Sequence, residues 1–400
     1  MAGFVTYLHE ESEADGWHAF CFPRWYAIFI LCFKSHHSIM PIKTDAVFAL
    51  LHSAMSGYFL HLLAAIFVFA PLANGAALPY QGFGATTPGG SGGTAVHVTN
   101  LNDSGPGSLR NALAHGNRTV VFDVAGEIVL KNYLYVKGAF ITIDGFTAPL
   151  PGITLKNRGL IIRGSKGAHD VIVRGIRVRG SPIDGVQIAY RAYNVVVDHV
   201  SVQGSGDENI EITGGSHDVT VSWSVLAGNG KNMLIKYNPS RVTLHHNIFI
   251  ESTTRNPQAR TDNLGTPATD TTLDMRNNLV WGWGTGYGTL IWYGPWANIV
   301  ENYYASAGGD VQDTLTVCKG DCNGGDPASF ARAYVAGNLS GDALSTLNNE
   351  GNETVPFPAP LVDTQDACTA ANLVLANTGV RPLDSIDQEY LSRITIPLCP

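Results

Sequence analysis

Charge is scarce in this chain. Asp, Glu, Lys and Arg make up 14% of its 400 residues, against roughly a quarter in an ordinary soluble domain. A coiled coil or long helical bundle needs those residues on its outer faces, so neither fits. The few charges lean acidic: 25 Lys and Arg stand against 33 Asp and Glu, a formal net charge of -8. No broad basic surface is offered to a nucleic-acid backbone. Cysteines number six, and no Cys/His set stands at zinc spacing, which excludes a metal finger. The run Gly89-Gly90-Ser91-Gly92-Gly93 is not followed by Lys-Ser or Lys-Thr. It is therefore no phosphate loop and reads as a linker or turn. No coherent nucleophilic triad emerges. What is plentiful excludes disorder, because 45% of residues are hydrophobic. With 44 glycines and abundant Val, Ile, Asn and Thr, the composition points to an extracellular β-rich protein.

Residues 1–77 differ from the rest. An apolar stretch over residues 46–69 is followed by Pro71, Ala73, Gly75, Ala76 and Ala77. That is the pattern of a secretory signal and its cleavage site. Cleavage is expected between Ala73 and Leu78, with Met40 or Met55 as the biological start. The stretch approaches spanning length, but His52 and His61 interrupt it, so no stable membrane insertion is expected. The domain proper then covers residues 78–400. Cys318, Cys322, Cys368 and Cys399 remain, an even count that suits disulfides in a secreted chain. Three pairings can be drawn, and the local one joins Cys318 to Cys322 and Cys368 to Cys399. Asn-x-Ser/Thr sequons at Asn102, Asn117, Asn338 and Asn352 are compatible with a glycoprotein.

An internal repeat sets the architecture. His169-Asp170-Val171-Ile172-Val173 recurs as Tyr193-Asn194-Val195-Val196-Val197, as His217-Asp218-Val219-Thr220-Val221 and as Ser240-Arg241-Val242-Thr243-Leu244. The anchoring valines 171, 195, 219 and 242 are 24, 24 and 23 residues apart. A unit this short cannot bury its own apolar face, whereas stacked coils can. The sequence therefore predicts a parallel β-helix in one domain. Asn247, Asn278 and Asn302 share a phase and should form an amide ladder, while residues 256–270 should bulge from one coil. Residues 108–114 should form a short helix capping the open end, and the cysteine-bearing tail should wrap the other end.

The same spacing aligns charges. Asp184, Asp207, Lys231 and Arg255 are 23, 24 and 24 residues apart. At about 4.8 Å per coil they would line a stripe about 14 Å long, flanked by Glu211 and Arg260. Carboxylates from adjacent coils make an oxygen-rich site for a hard cation, Ca²⁺ above all. Asp207 and Glu211 would be about 13 Å apart on a straight strand, so a bend is expected between them. An anionic polysaccharide, bridged by the ion and held by Lys231, Arg255 and Arg260, suits such a groove. His245-His246 and Asp198-His199 read as structural. Trp281, Trp283, Trp292 and Trp296 read equally as a sugar platform or as coil-edge packing.

The ordered motifs resemble the pectate lyase superfamily of right-handed parallel β-helix enzymes. Those motifs are Val197-Asp198-His199, Val219-Thr220-Val221-Ser222-Trp223, Lys231-Asn232-Met233-Leu234, Val242-Thr243-Leu244-His245-His246-Asn247, Arg255-Asn256-Pro257-Gln258-Ala259-Arg260 and Gly379-Val380-Arg381-Pro382. The resemblance spans residues 80–390. It implies calcium-assisted eliminative cleavage of polygalacturonate, and the secreted chain is expected to be a monomer. By position it implies Asp184, Asp207 and Glu211 as calcium ligands, Arg255 as the group that takes the C5 proton, and Lys231 and Arg260 as holders of the uronate carboxylate. The chain departs from the family at Val196, where a Trp is usual, and at Thr261-Asp262-Asn263-Leu264-Gly265.

Other readings are a calcium-independent pectin lyase, a polygalacturonase and a non-catalytic polysaccharide-binding β-helix. Three acidic ligands disfavour the first. No adjacent Asp-Asp pair supports the second. Retention of Arg255 beside Lys231 disfavours the third.

Overall fold

The computed structural model describes residues 80–262, 268–284, 286–306, 314–319, 330–341, 345–347, 350–396 and 399. The expected signal segment and Cys322, hence the Cys318–Cys322 pairing, lie outside the described residues, as does the tip of the expected 256–270 bulge.

Each coil gives one strand to each of three sheets in turn, as Tyr193–Asp198, Ser201–Gln203 and Glu208–Thr213 do. The sheets hold ten, ten and eight strands. Among the described residues all pairings are parallel except Leu339–Ser340 with Ser345–Thr346. The expected parallel β-helix is thus the observed fold. Sequence spacing becomes register: Val195 lies opposite Val171 and Val219, Val242 opposite Val219 and Leu273, and Leu273 opposite Ala297. These side chains are fully buried and stack along one continuous core. Each such Val or Leu contributes about 1.5–3 kcal/mol.

Sharp corners require left-handed backbone. His199, Trp223 and His246 close consecutive first-sheet strands at φ of 46°, 48° and 55°, a region uncommon for non-glycine residues. Their rings stack, Trp223 on His246 at 4.3 Å and on His199 at 6.0 Å, which offsets the local cost.

The predicted Asn ladder is present. Asn247 donates to Asn278 and Asn278 to Asn302, both at 2.9 Å, and Asn302 donates to Asn338 at 2.8 Å. Asn338 is fully buried and donates to the carbonyls of Ile299 and Ala336. It therefore cannot carry a glycan in the folded protein, which removes one of the four sequons. A second ladder, not anticipated, joins Asn209 to Asn232 at 2.8 Å and Asn232 to Asn256 at 2.9 Å.

Two segments cover sheets. Residues 80–93 form a strap on the first sheet, where Gly84 N donates to Thr220 Oγ1 and Gly90 N to Thr142 Oγ1, both at 2.9 Å. A Cβ on Gly90 would stand 2.0 Å from the Arg118 carbonyl oxygen, so the glycine run serves close approach rather than linkage. Helix α1 (Leu109–Ala112) buries Leu109 and Ala112 against the first coils, capped by Ser108. The tail does not simply close the far end. Helices α2 (Ala367–Asn377) and α3 (Ser385–Leu391) lie on the second sheet, because its outer residues Val225, Ala227, Ile248, Ile250 and Leu279 are apolar and need cover. Arg179 there pairs with Asp384 at 3.0 Å and with Asp387 at 2.9 Å. The predicted Cys368–Cys399 disulfide brackets both helices. The strap takes the first sheet and the helices the second; the charged stripe runs along the third.

Candidate active site

The third-sheet corner is fixed by the second Asn ladder. Asn209, Asn232 and Asn256 each follow a charged residue: Glu208, Lys231 and Arg255. Satisfied amides pin the ladder, so these three side chains are held in successive coils. Their register departs from the expected stripe by one residue. Glu208, not Asp207, is the partner of Lys231, and Lys231 bridges Thr254 rather than Arg255. Asp184 meets Glu208 from the preceding coil, with Glu208 N donating to Asp184 Oδ1 at 3.1 Å. Asp207 stands one position ahead of the strand, and its N–H donates to the Ile183 carbonyl at 3.2 Å. Arg255 sits one position beyond the bridge at φ 64°.

Carboxylates crowd this corner. Asp184 is 5% exposed. Burial pushes its carboxyl up to about 7, and Glu211 and Asp207 add to the rise. Glu208 has no exposure; its Oε1 receives the Arg255 guanidinium, and its Oε2 has no partner. Asp207, more exposed, pairs with Lys231. One oxygen or more from each of Asp184, Asp207 and Glu208 lies within 4.8 Å of the others. Glu211 is not in that group. It pairs with Lys236 at 3.0 Å and accepts from Gln187 at 2.6 Å, while the same Gln187 amide donates to Asp184 at 2.9 Å. The set fits a hard divalent cation, because every donor is a carboxylate oxygen. Such an ion would satisfy the orphaned Glu208 oxygen and relieve the crowding at Asp184.

The far end of the stripe is cationic and aromatic. Arg260 pairs with Asp262 and lies 4.9 Å from the Trp292 ring and 4.7 Å from that of Tyr293. Tyr287 donates to Gln258 Oε1 at 2.6 Å. Burial pushes its phenol up, and Arg255 nearby opposes that.

The structure thus gathers Asp184, Asp207, Lys231 and Arg255 at one corner, with Glu211 and Arg260 on the adjoining strands. Sequence reasoning missed Glu208, Gln187, Lys236 and Tyr287. For Glu208 the signal was present in the spacing of Asn209, Asn232 and Asn256. The four tryptophans form no common platform: Trp281 packs against the apolar cluster on the second sheet, Trp283 is buried against Tyr304, Trp296 stacks on Phe357, and Trp292 lies against Arg260. His245, His246, Asp198 and His199 lie at the first-sheet corner, where Asp198 accepts from Ser222 at 2.7 Å. A cavity of 340 Å³ under the strap, lined by Tyr80, Asp144 and Arg174, also belongs to the first sheet.

No protein-family model matches the chain. Over 331 residues it is 32% identical to a probable pectate lyase C of Aspergillus terreus, covering 78% of this chain and 75% of that protein. A protein of the same name from Aspergillus fumigatus is 31% identical over 332 residues, with the same 78% and 75% coverage. Another, from Emericella nidulans, is 38% identical over 217 residues, 52% of this chain and 48% of that one. Among solved structures the fold resembles jun a 1, the major allergen of cedar pollen, with TM-score 0.58, 20% identity and coverage of 75% of this chain and 92% of that one. It also resembles a pectate lyase from Bacillus sp. N165 solved with trigalacturonate, with TM-score 0.54, 17% identity and coverage of 75% and 98%.

Proposed function

Because the chain belongs to the pectate lyase family of polysaccharide lyases, we propose that it is a secreted, monomeric enzyme that cleaves polygalacturonate by calcium-assisted β-elimination. The observation that carries this reading is the convergence of Asp184 and Asp207 carboxylates with Lys231 and Arg255 on one corner of the third sheet. Asp184, Asp207 and Glu211 are the proposed calcium ligands, and two of them already converge. Residues 78–400 are the proposed catalytic domain, following a cleaved signal.

The chemistry follows from charge. The C5 proton of a uronate is weakly acidic because its removal puts negative charge beside a carboxylate. Bound Ca²⁺ would lower that cost by offsetting the carboxylate charge. Lys231 and Arg260 hold the uronate carboxylate and add fixed positive charge where negative charge develops. Arg255 takes the C5 proton in its neutral form, after its guanidinium has released a proton to water. The C5 electron pair forms the C4–C5 double bond, the C4–O bond breaks, and the glycosidic oxygen leaves and gains a proton from water. The product is a 4,5-unsaturated oligogalacturonide. The open stripe along several coils suits a linear polymer, and the solved relative with trigalacturonate supports the uronate class.

The test is ultraviolet absorbance of unsaturated uronides, using the secreted form on polygalacturonate with calcium and with chelator. A rise that needs calcium supports the reading. A rise indifferent to chelator would overturn the calcium assignment. New reducing ends without absorbance would mean hydrolysis and sink the lyase proposal.

A further inference from the structure

Glu208 has no role in the reading above, yet it is the most deeply placed charge of the site. It has no exposure. A buried carboxylate is costly unless both oxygens find partners. Oε1 has the Arg255 guanidinium; Oε2 has none. One carboxylate oxygen of Glu208 belongs to the group formed with Asp184 and Asp207, within 4.8 Å of one another. Its backbone is fixed as well: the N–H donates to Asp184 Oδ1 at 3.1 Å, Lys231 is its strand partner, and Asn209 next to it is locked in the amide ladder. The side chain therefore cannot leave the corner, and its free oxygen points to a positive partner other than Arg255.

We propose that Glu208 is a carboxylate shared between the cation site and Arg255. One oxygen anchors the guanidinium and the other is a ligand to the bound divalent ion. Glu208 is then a positioning residue that couples the two. Cation and guanidinium draw on the same negative charge, so occupancy of the site weakens the hold on Arg255, and removing Arg255 strengthens the hold on the cation. Linkage requires both effects to be equal in size. The inference rests on the calcium reading above but adds a ligand and a coupling to it.

The experiment is calorimetric titration of Ca²⁺ into the full-length secreted protein without polymer, for wild type, E208Q, R255Q and the double variant. Binding is checked by the calcium-induced rise in the unfolding midpoint. E208Q should weaken Ca²⁺ binding by about tenfold or more, the scale seen when groups supporting a metal site are lost. R255Q should tighten it severalfold. In the E208Q background the R255Q effect should largely vanish, whereas simple repulsion between Arg255 and the ion would leave it unchanged. Wild-type binding with E208Q equal to it overturns the Glu208 inference alone. No binding by folded wild type overturns the calcium reading and the inference with it. If E208Q loses its β-rich circular dichroism, R255Q decides: tightening supports the sharing, and unchanged affinity refutes it.

Discussion

Replacing Asn232 by Ala should both destabilise the protein and disable its site. Asn232 is fully buried in the middle of the second ladder. Its Nδ2 donates to the Leu226 carbonyl at 3.1 Å and to Asn256 Oδ1 at 2.9 Å, and its Oδ1 accepts from Asn209 Nδ2 at 2.8 Å. Truncation leaves one carbonyl, one amide oxygen and one amide N–H without that partner. Asn209 Nδ2 retains the Ala227 carbonyl at 3.1 Å, so its loss is partial. A buried polar group left unsatisfied costs about 1–3 kcal/mol, so the sum is about 3–5 kcal/mol. Denaturant unfolding at 25 °C measures it. The comparison variant is Asn302→Ala, the equivalent deletion in the other ladder. Both should lose similar stability, but only Asn232→Ala should also lose Ca²⁺ affinity and lyase activity under conditions where it is fully folded, because Lys231 is its neighbour in sequence. A stability loss under about 1 kcal/mol would refute the claim that the ladder is a buried, fully engaged network. Equal activity in the two variants would refute the claim that it sets the register of the site.

Arg255→Gln should reduce the rate of absorbance increase by at least about a hundredfold, the scale of a lost proton-transfer group, while polymer retention on a polygalacturonate gel persists; loss of both together would argue against a role in the chemical step. Gly84→Ala should destabilise by about 1–3 kcal/mol, since its Cβ would meet the Val195 carbonyl oxygen at 2.5 Å; limited proteolysis should then cut first in residues 80–93, and an unchanged pattern would contradict the strap. Burial holds the His245 imidazole down at about 3, with His246 and His199 pushing the same way. Its folded value is below the unfolded one of about 6.5, so its contribution is full above pH 6.5 and is lost as pH falls toward 3, by up to about 1.4 kcal/mol per pH unit. Urea midpoints of wild type and His245→Gln between pH 7 and 4 should show a shallower decline in the variant; parallel declines would rule this out.

The fold was legible because the solenoid writes its geometry into spacing. Val171, Val195, Val219 and Val242 recur at the coil period and occupy matching places in the first sheet. The ladder of Asn247, Asn278 and Asn302 was legible for the same reason. The register of the charged stripe was legible to within one residue. Adjacent coils differ by a residue in length, so spacing alone cannot say whether Asp207 or Glu208 faces Lys231. That choice is made by Asn209, whose amide must join Asn232. The strap was hidden because a glycine run says only that side chains are absent, not what the backbone approaches. The course of the tail was hidden because no period links α2 or α3 to Val225, Ile248 or Leu279, which they cover.

Every rung carries at most a part of the chemistry. Asp184, the Asp207–Glu208 pair, Lys231 and Arg255 come from four successive windings of one chain. Gain of a whole 24-residue unit is the natural way for such a molecule to lengthen, since a new rung brings its own core valine and corner. Within residues 184–255 that same event would push the groups on either side of it apart by about 4.8 Å, enough to break the corner contacts that cross the new rung. Outside that window it would only extend the track on which the polymer lies. The architecture therefore divides its own capacity for change: the middle four windings are frozen in number, while the flanks are free to vary the length of polymer engaged.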